Sequence, residues 1–230
     1  MKLNKKDVFY LATIIVLSIV LFIFKLWGFS LFDVDEPRYA EAAREMIESN
    51  NWITPYFNYV VRFDKPVLFY WLIAFSYKIF GVSEFAARLP SAIMAFLIVL
   101  SVYFFGRKHI SRKFGFISSL ILLTSLQFIG LARMSITDMT LSAFICFMLL
   151  SGFTASKEIG LKRTLWWYAF YIFMGLGTLT KGPVVPALAV IVLWPYFILT
   201  GQFMEVFRTC RLYTGILIYL LIAAPWYILV

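Results

Sequence analysis

The stretch VFYLATIIVLSIVLFIF, residues 8–24, decides the class of fold, because it contains no charged side chain. A helix that crosses a bilayer needs about 20 mostly apolar residues, and this run nearly supplies them alone. It is longer than the core of a cleavable signal peptide, about 7–15 residues, and no small-x-small cleavage site follows it. The N-terminus therefore predicts an uncleaved signal-anchor helix.

The rest of the chain repeats this pattern. Of its 230 residues, 62% are hydrophobic and only 14% are charged, whereas a typical soluble domain has about 25% charged residues. We therefore predict an all-α, polytopic membrane protein with one long outer loop at about residues 28–88. The predicted spans are approximately 8–27, 89–105, 114–131, 136–153, 165–180, 184–199 and 213–230.

The basic residues predict the topology of these spans. Lys2, Lys5 and Lys6 precede the first span, and cytoplasmic loops carry an excess of Lys and Arg. The N-terminus is thus expected in the cytoplasm and the loop 28–88 outside. The basic loop RKHISRK, residues 107–113, then falls inside. This topology requires that the apolar stretch from Pro66 does not cross the membrane. We therefore interpret that stretch as an interfacial or re-entrant helix.

Composition also excludes several kinds of function. The net charge of +9 is accounted for by cytoplasmic loops, and without a basic stripe or stacking module it does not indicate nucleic-acid binding. Cys146 and Cys210 lack CxxC spacing, so neither a structural disulfide nor a zinc site is predicted. His109, the only histidine, lies within the basic loop.

The segment DVDEPRYAEAAREMIE, residues 33–48, carries the most polar side chains directly after the first span. Asp35 can cap a helix, Glu36 and Pro37 suit its first turn, and Arg38 follows one turn later. One interpretation is a well-capped surface helix. The other is catalytic, because a carboxylate where headgroups meet water could remove a proton from an acceptor hydroxyl.

Three later motifs place further charges on the same predicted side. RFDKPVLFYW, residues 62–71, puts Lys65 before an aromatic helix, where it could bind an anionic headgroup or simply snorkel. ARMSITDM, residues 132–139, places Arg133 beside a capping box of Ser135 and Asp138. GLGTLTKGPVVP, residues 175–186, is not a nucleotide-binding loop. Its Lys181 could complement a helix dipole or hold a phosphate.

Taken in order, VDEPRYAEAAREMI, FDKPVLFYW, FAARLPSA, LARMSITDM and TKGP resemble membrane glycosyltransferases of the GT-C architecture. Within that architecture, the chain resembles the branch that contains the aminoarabinose transferases of lipid A and the protein O-mannosyltransferases. The resemblance covers essentially the whole chain, but only the N-terminal part of such an enzyme, so a C-terminal part is expected to be missing. It implies a GT-C-like helix bundle with interfacial helices in the first outer loop.

The resemblance also implies a function and its residues. The donor is a polyprenyl-phosphate-linked sugar, and the acceptor is a lipid, such as lipid A, or a protein, at the outer face of a bacterial inner membrane. Besides membrane lipids, no other partner or cofactor is implied. Some members bind a divalent metal, for which Asp64 is an available carboxylate, but no metal is predicted. The implied residues are catalytic Asp35, Glu36 and Asp138, and phosphate-binding Arg38, Lys65, Lys181 and Arg133. Asp138 is expected to orient Lys65 or Arg38.

Two other functions stay open at this point. The interruption at Lys181-Gly182-Pro183 also suits the broken helix of a transporter or flippase, although transporters place ionisable groups near the bilayer midplane. A non-catalytic scaffold for envelope assembly is the third interpretation, and it predicts no effect when Asp35 is replaced by Asn.

Overall fold

A computed structural model describes residues 4–32 and 34–230. Lys2, on which part of the topology prediction depends, lies outside these residues. The described chain is helical apart from loops and one short hairpin, β1 (Tyr56–Phe57) with β2 (Val60–Val61). The helices are α1 (Lys5–Ser18, continued by a π-helical turn, Ile19–Ile23), α2 (Asp35–Glu48), α3 (Leu68–Phe80), α4 (Glu84–His109), α5 (Arg112–Leu123), α6 (Leu126–Ala132), α7 (Thr137–Lys157), α8 (Gly160–Lys181), α9 (Val184–Leu199), α10 (Phe203–Thr209) and α11 (Leu212–Leu229).

Within residues 4–32 and 34–230, four helices are long and apolar enough to cross a membrane. They are α1 with its π-helical turn, α4, α7 and α11. The predicted membrane protein with an all-α bundle is thereby confirmed. Two of the predicted spans, 165–180 and 184–199, lack the length or the hydropathy of a membrane-crossing helix. Helix α9 has only 16 residues, and α8, although it has 22, is rich in Trp, Tyr, Gly and Thr, which lower its mean hydropathy.

The predicted span at 114–131 is broken in the structure. Helices α5 and α6 meet at an angle of 70°, so the two count as one span only if a bent pair crosses. Helix α5 ends at Leu123, and Thr124 caps it: the Thr124 hydroxyl donates to the carbonyl oxygens of Leu120 (3.0 Å) and Ile121 (3.2 Å). Ser125 then adopts an extended conformation (φ −68°, ψ 119°). Hydroxyl bonding to helix carbonyls is a known cause of such bends.

The apolar stretch after Pro66 forms α3, which is too short to span. Its 13 residues rise only about 20 Å at 1.5 Å per residue. Helix α3 packs between α2 and α4 and buries its apolar face in a cluster with the alanines of α2. The indole of Trp71 donates to the carbonyl oxygen of Trp52 (2.7 Å), which fastens α3 to the preceding loop. The interfacial interpretation of this segment fits its length.

Charged contacts sort the helix ends into two groups. At one end, Arg107 of α4 donates to Asp7 of α1 (2.8 Å), and Lys108 pairs with Glu158 after α7 (2.5 Å). We call this the basic end. At the other end, the start of α2 contacts α4, and the start of α7 contacts the end of α8. Helices α1 and α8 therefore run in the opposite direction to α4 and α7, as the predicted topology requires. This second end, which includes α2 and α3, is called the acidic end.

Candidate functional site

The two adjacent carboxylates at the start of α2 have opposite environments. The side chain of Glu36 is 1% exposed, and it accepts hydrogen bonds from the backbone N–H groups of Phe32 (2.7 Å) and Ser135 (2.6 Å). The side chain of Asp35 is 52% exposed, and Arg38, 3.7 Å away, is its ion-pair partner. Of these two carboxylates, Asp35 alone is therefore accessible to a ligand from the surrounding solvent.

Arg88 of α4 is the main partner of Glu36. Its Nε and Nη2 donate to the two carboxylate oxygens at 2.9 Å each. Nη1 also donates to the carbonyl oxygens of Leu26 and Phe29, and Nη2 to that of Ser30, all at 2.9 Å. One guanidinium thus connects α4, the segment after α1 and the start of α2. This arrangement fixes the backbone on which Asp35 stands.

Three charged residues lie together between β2 and α3. Arg62 donates to Asp64 (3.0 Å), and Lys65 contacts the other oxygen of Asp64 (3.2 Å). Partial burial raises the pKa of Asp64, but the two cations outweigh this effect and hold the pKa below its usual value. Two cations that share one carboxylate leave an excess of positive charge, which favours an anionic ligand.

Two buried tyrosines lie between this charged cluster and the rest of the acidic end. The rings of Tyr39 on α2 and Tyr70 on α3 are 5.7 Å apart. Burial raises the pKa of Tyr39, the charges of Asp64 and Asp35 raise it further, and a hydrogen bond from Thr137 opposes the rise. Tyr39 is therefore close to Asp35, to Asp64 and to the first residue of α7.

The start of α7 and the end of α8 bring another ion pair to the same region. Asp138 follows Thr137 in the first turn of α7, and its carboxylate accepts from Lys181 at the end of α8 (2.5 Å). Both side chains are partly exposed, Lys181 at 36% and Asp138 at 43%. The expectation that Asp138 orients Lys65 or Arg38 is not what the structure shows. The antiparallel packing of α7 on α8 instead brings Asp138 to Lys181.

Arg133, predicted to bind phosphate, lies at the acidic end with its guanidinium on backbone carbonyl groups. Its Nη1 donates to the carbonyl oxygens of Leu21 (3.1 Å) and Phe24 (2.9 Å), and its Nη2 to that of Lys25 (3.2 Å). These are carbonyl groups at the end of α1, where a cation complements the helix dipole. The guanidinium is thus engaged with the protein backbone, which fits a capping role better than phosphate binding.

The predicted site residues consequently fall into two sets. Asp35, Arg38, Lys65, Asp138 and Lys181 are partly exposed at the acidic end, whereas Glu36 and Arg133 are held by protein groups. Sequence reasoning missed the roles of Arg88 and Tyr39 in this site. Both lie in motifs already singled out, FAARLPSA and VDEPRYAEAAREMI, but no local pattern indicated their distant contacts. Among the described residues, no three His, Cys, Asp or Glu side chains are grouped to hold a metal.

Comparison with known proteins identifies relatives of this chain. The model of the dolichyl-phosphate-mannose-protein mannosyltransferase family matches residues 64–229. An undecaprenyl phosphate-alpha-4-amino-4-deoxy-L-arabinose arabinosyl transferase of Aeromonas hydrophila is 34% identical over 202 residues, which are 87% of this chain and 37% of that protein. A second such transferase, from Proteus mirabilis, is 34% identical over 221 residues, 94% of this chain and 39% of that protein. The chain spans less than half the length of these relatives.

A solved structure shows the same fold. The crystal structure of ArnT from Cupriavidus metallidurans bound to undecaprenyl phosphate matches with a TM-score of 0.87 at 29% sequence identity. The match covers 96% of this chain and 40% of that one. The predicted GT-C-like helix bundle is thus confirmed. Because the family model matches most of this chain, the chain belongs to the dolichyl-phosphate-mannose-protein mannosyltransferase family.

Proposed function

We propose that this chain carries the base and the donor-phosphate site of a glycosyltransferase that uses a polyprenyl-phosphate-linked sugar. One observation carries the proposal. An accessible carboxylate, Asp35, lies at the same end of the bundle as two partly exposed lysines, Lys65 and Lys181, on separate elements. Catalysis of this transfer needs a base for the acceptor and cations for the departing phosphate.

The residues would divide the reaction as follows. The carboxylate of Asp35 takes the proton of an acceptor hydroxyl while that oxygen bonds to the anomeric carbon of the donor sugar. The bond from this carbon to the phosphate oxygen breaks, and its electron pair stays on the polyprenyl phosphate. Lys65 and Lys181 would stabilise the negative charge of that phosphate. Arg38, which pairs with Asp35, would contact the same phosphate.

The names of the relatives suggest the identity of the donor. Two relatives are named for an undecaprenyl-phosphate-linked aminoarabinose, and the ArnT structure holds undecaprenyl phosphate. We therefore propose undecaprenyl phosphate as the lipid carrier, an amino sugar of this type as the cargo, and a lipid acceptor such as lipid A. Transfer to a protein, which the description of the family names, is the second candidate.

The charges at the two ends of the bundle support an orientation in the membrane. The end of α4 and the start of α5 at the basic end carry Arg107, Lys108, Arg112 and Lys113, and positive charge of this kind favours the cytoplasm. The acidic end, with its site, would then face outward. A transporter is less well supported, because the charges of the site lie at one end of the bundle and not near its middle.

A binding measurement tests the proposed phosphate site without knowledge of the acceptor. The protein in detergent is heated with undecaprenyl phosphate or with undecaprenol, which lacks the phosphate. We expect the phosphate to raise the unfolding temperature more than the alcohol, and Lys65→Ala and Lys181→Ala each to reduce this difference. Lys113→Ala, an exposed lysine at the basic end, is the matched control. Equal stabilisation by the alcohol, or an equal loss in Lys113→Ala, would overturn the phosphate site.

A further inference from the structure

A cavity lies at the basic end of the bundle, far from the proposed donor site. Helices α4 and α8 both pack on α7, and between them a cavity of about 320 Å³ remains. Phenylalanines form much of its wall, and the side chains of Phe104 and Trp166 at its edge are 40% and 37% exposed. Its exposed edge residues show that the cavity opens on the surface of the described bundle. The lining residues used below are Phe104, Lys108, His109, Ser151, Thr154 and Trp166.

Cations surround one end of this apolar cavity. Lys108 is itself a lining residue, and its ammonium lies 5.5 Å from the centre of the Trp166 ring. Lys157 lies 5.6 Å from the centre of the Phe153 ring, which in turn packs against His109 at 5.3 Å. Two lysines on different helices thus reach the same end of the cavity.

One acidic residue, Glu158, lies in this cationic group. It pairs with Lys108 at 2.5 Å. A hydrogen bond from Lys108 and the nearby charge of Lys162 both lower the pKa of Glu158, so this carboxylate stays ionised and neutralises one charge. With Lys108, Lys157 and Lys162 present, the group keeps an excess of positive charge. An anion at the mouth would therefore be favoured.

Polar groups extend from this mouth into the cavity wall. The hydroxyl of Thr154 lies 3.4 Å from Nε2 of His109, and Ser151, one turn earlier on α7, is buried in the wall. The cavity therefore has a polar, cationic end beside the membrane surface and an apolar, aromatic end within it. This is the polarity of a lipid molecule, with an anionic headgroup outside and an acyl chain inside.

We propose that the cavity between α4, α7 and α8 binds one anionic phospholipid of the surrounding leaflet. An acyl chain lies between Phe104 and Trp166, and the phosphate lies among Lys108, Lys157 and His109. Basic pockets between transmembrane helices on the cytoplasmic side are known to hold anionic headgroups. The proposal does not depend on the proposed glycosyl transfer, because the two sites lie at opposite ends of the bundle.

The test compares lipids that differ only in headgroup charge. The protein is reconstituted in nanodiscs of phosphatidylcholine, and phosphatidylglycerol with the same acyl chains is added in steps. Native mass spectrometry of the protein released from the discs then measures the retained lipid. We expect one phosphatidylglycerol molecule to be retained in preference to phosphatidylcholine. A cation near the surface contributes about 1 kcal/mol to such attraction, so Lys108→Gln and Lys157→Gln should each weaken retention roughly fivefold.

Three further variants separate this site from general surface charge and from the donor site. Lys113→Gln removes an exposed lysine at the same end and should leave retention unchanged if the cavity, and not general charge, selects the lipid. Ser151→Leu adds bulk to the cavity wall and should reduce retention without removing a charge. Lys181→Gln alters the proposed donor site and should not affect phosphatidylglycerol, so failure of one proposal is distinguishable from failure of the other.

Two results would overturn the proposal. Equal retention of the two phospholipids would show that the cavity does not select an anionic headgroup. An equal loss in Lys108→Gln and Lys113→Gln would show that the attraction belongs to the whole basic end. Should undecaprenyl phosphate displace phosphatidylglycerol from wild-type protein but not from Lys181→Gln, the retained lipid would belong to the donor site, and the cavity would not be a phospholipid site.

Discussion

The guanidinium of Arg88 and the carboxylate of Glu36 form a two-pronged ion pair, with both N–O distances at 2.9 Å and both side chains 1% exposed. Removal of one partner from such a pair leaves an unpaired buried charge, which costs about 3–5 kcal/mol. We therefore expect Arg88→Ala to lower the unfolding temperature by about 10 °C, given a few degrees per kcal/mol for a chain of this size. Thermal unfolding in detergent measures this loss.

Two controls isolate the buried charge as the cause. Arg38→Ala breaks the exposed pair with Asp35, and exposed pairs contribute at most about 1 kcal/mol, so its unfolding temperature should change little. The double variant Glu36→Leu/Arg88→Met removes both charges together and should lose less stability than the two single variants summed. Equal effects of Arg88→Ala and Arg38→Ala would contradict the buried ion pair.

Asp35 should behave in the opposite way to its neighbour Glu36. The Asp35 side chain is half exposed, so Asp35→Asn should keep the unfolding temperature and the binding of undecaprenyl phosphate. It should nevertheless reduce sugar transfer by about 10²–10⁴-fold, because a general base contributes roughly that factor. Glu36→Gln should instead lower stability first. Transfer measured in membranes at matched protein amounts checks this, and full activity of Asp35→Asn would favour the scaffold interpretation.

The sequence alone could place this pair of carboxylates but could not assign their roles. DVDEPRY predicted the helix and its position after the first span, since Pro37 in the first turn and the hydropathy of the preceding run are local features. The predicted cap at Asp35 was wrong, because α2 begins at Asp35 itself and has no side-chain cap among the described residues. The burial of Glu36 depends on Arg88, which is 52 residues away. No local pattern encodes that contact. Asp138 and Lys181 likewise shared a predicted side, but their pairing depends on how α7 packs against α8.

The ion pair between Asp138 and Lys181 predicts that removal of a charged side chain from the site strengthens the binding of the lipid. Asp138 holds the Lys181 ammonium at 2.5 Å and so competes with an incoming phosphate for it. Asp138→Asn should therefore strengthen the binding of undecaprenyl phosphate, while Lys181→Ala should weaken it. Titration of the lipid against unfolding temperature, with Lys113→Ala as control, measures both. Weaker binding in Asp138→Asn would mean that Asp138 positions the lysine and does not compete.

The charged cluster at Asp64 predicts a dependence on pH. The cations Arg62 and Lys65 hold the pKa of Asp64 below its usual value despite partial burial. A carboxyl with a lowered folded pKa stabilises the protein fully above its unfolded pKa, about 3.9, and this stabilisation is lost as the pH falls through the folded pKa. The stability difference between wild type and Asp64→Asn should thus be constant from pH 7 to 5.

Below about pH 4 this difference should shrink, because protonated Asp64 no longer attracts the cations. Its size at neutral pH should stay within about 1 kcal/mol, since these side chains are partly exposed and water screens them. Chemical unfolding of wild type and Asp64→Asn, followed between pH 7 and 3, gives the comparison. A difference that grows on acidification would assign Asp64 a raised pKa and remove the basis for an excess of positive charge at Lys65.

Helix packing provides the last prediction. A Cβ atom built on Gly106 of α4 would lie 2.7 Å from the Cα atom of Gly115 on α5, and backbone atoms cannot move aside cheaply. Membrane helices use such small residues to approach closely. Gly106→Ala should therefore separate α4 from α5 and cost about 1–3 kcal/mol of the free energy of unfolding.

Gly130→Ala in α6 is the matched control, because its Cβ would meet nothing within 4 Å. Alanine is also the better helix former, by about 1 kcal/mol, so this control should be neutral or stabilising. A loss of unfolding temperature as large in Gly130→Ala as in Gly106→Ala would contradict the close contact between α4 and α5 as the cause of the loss in Gly106→Ala.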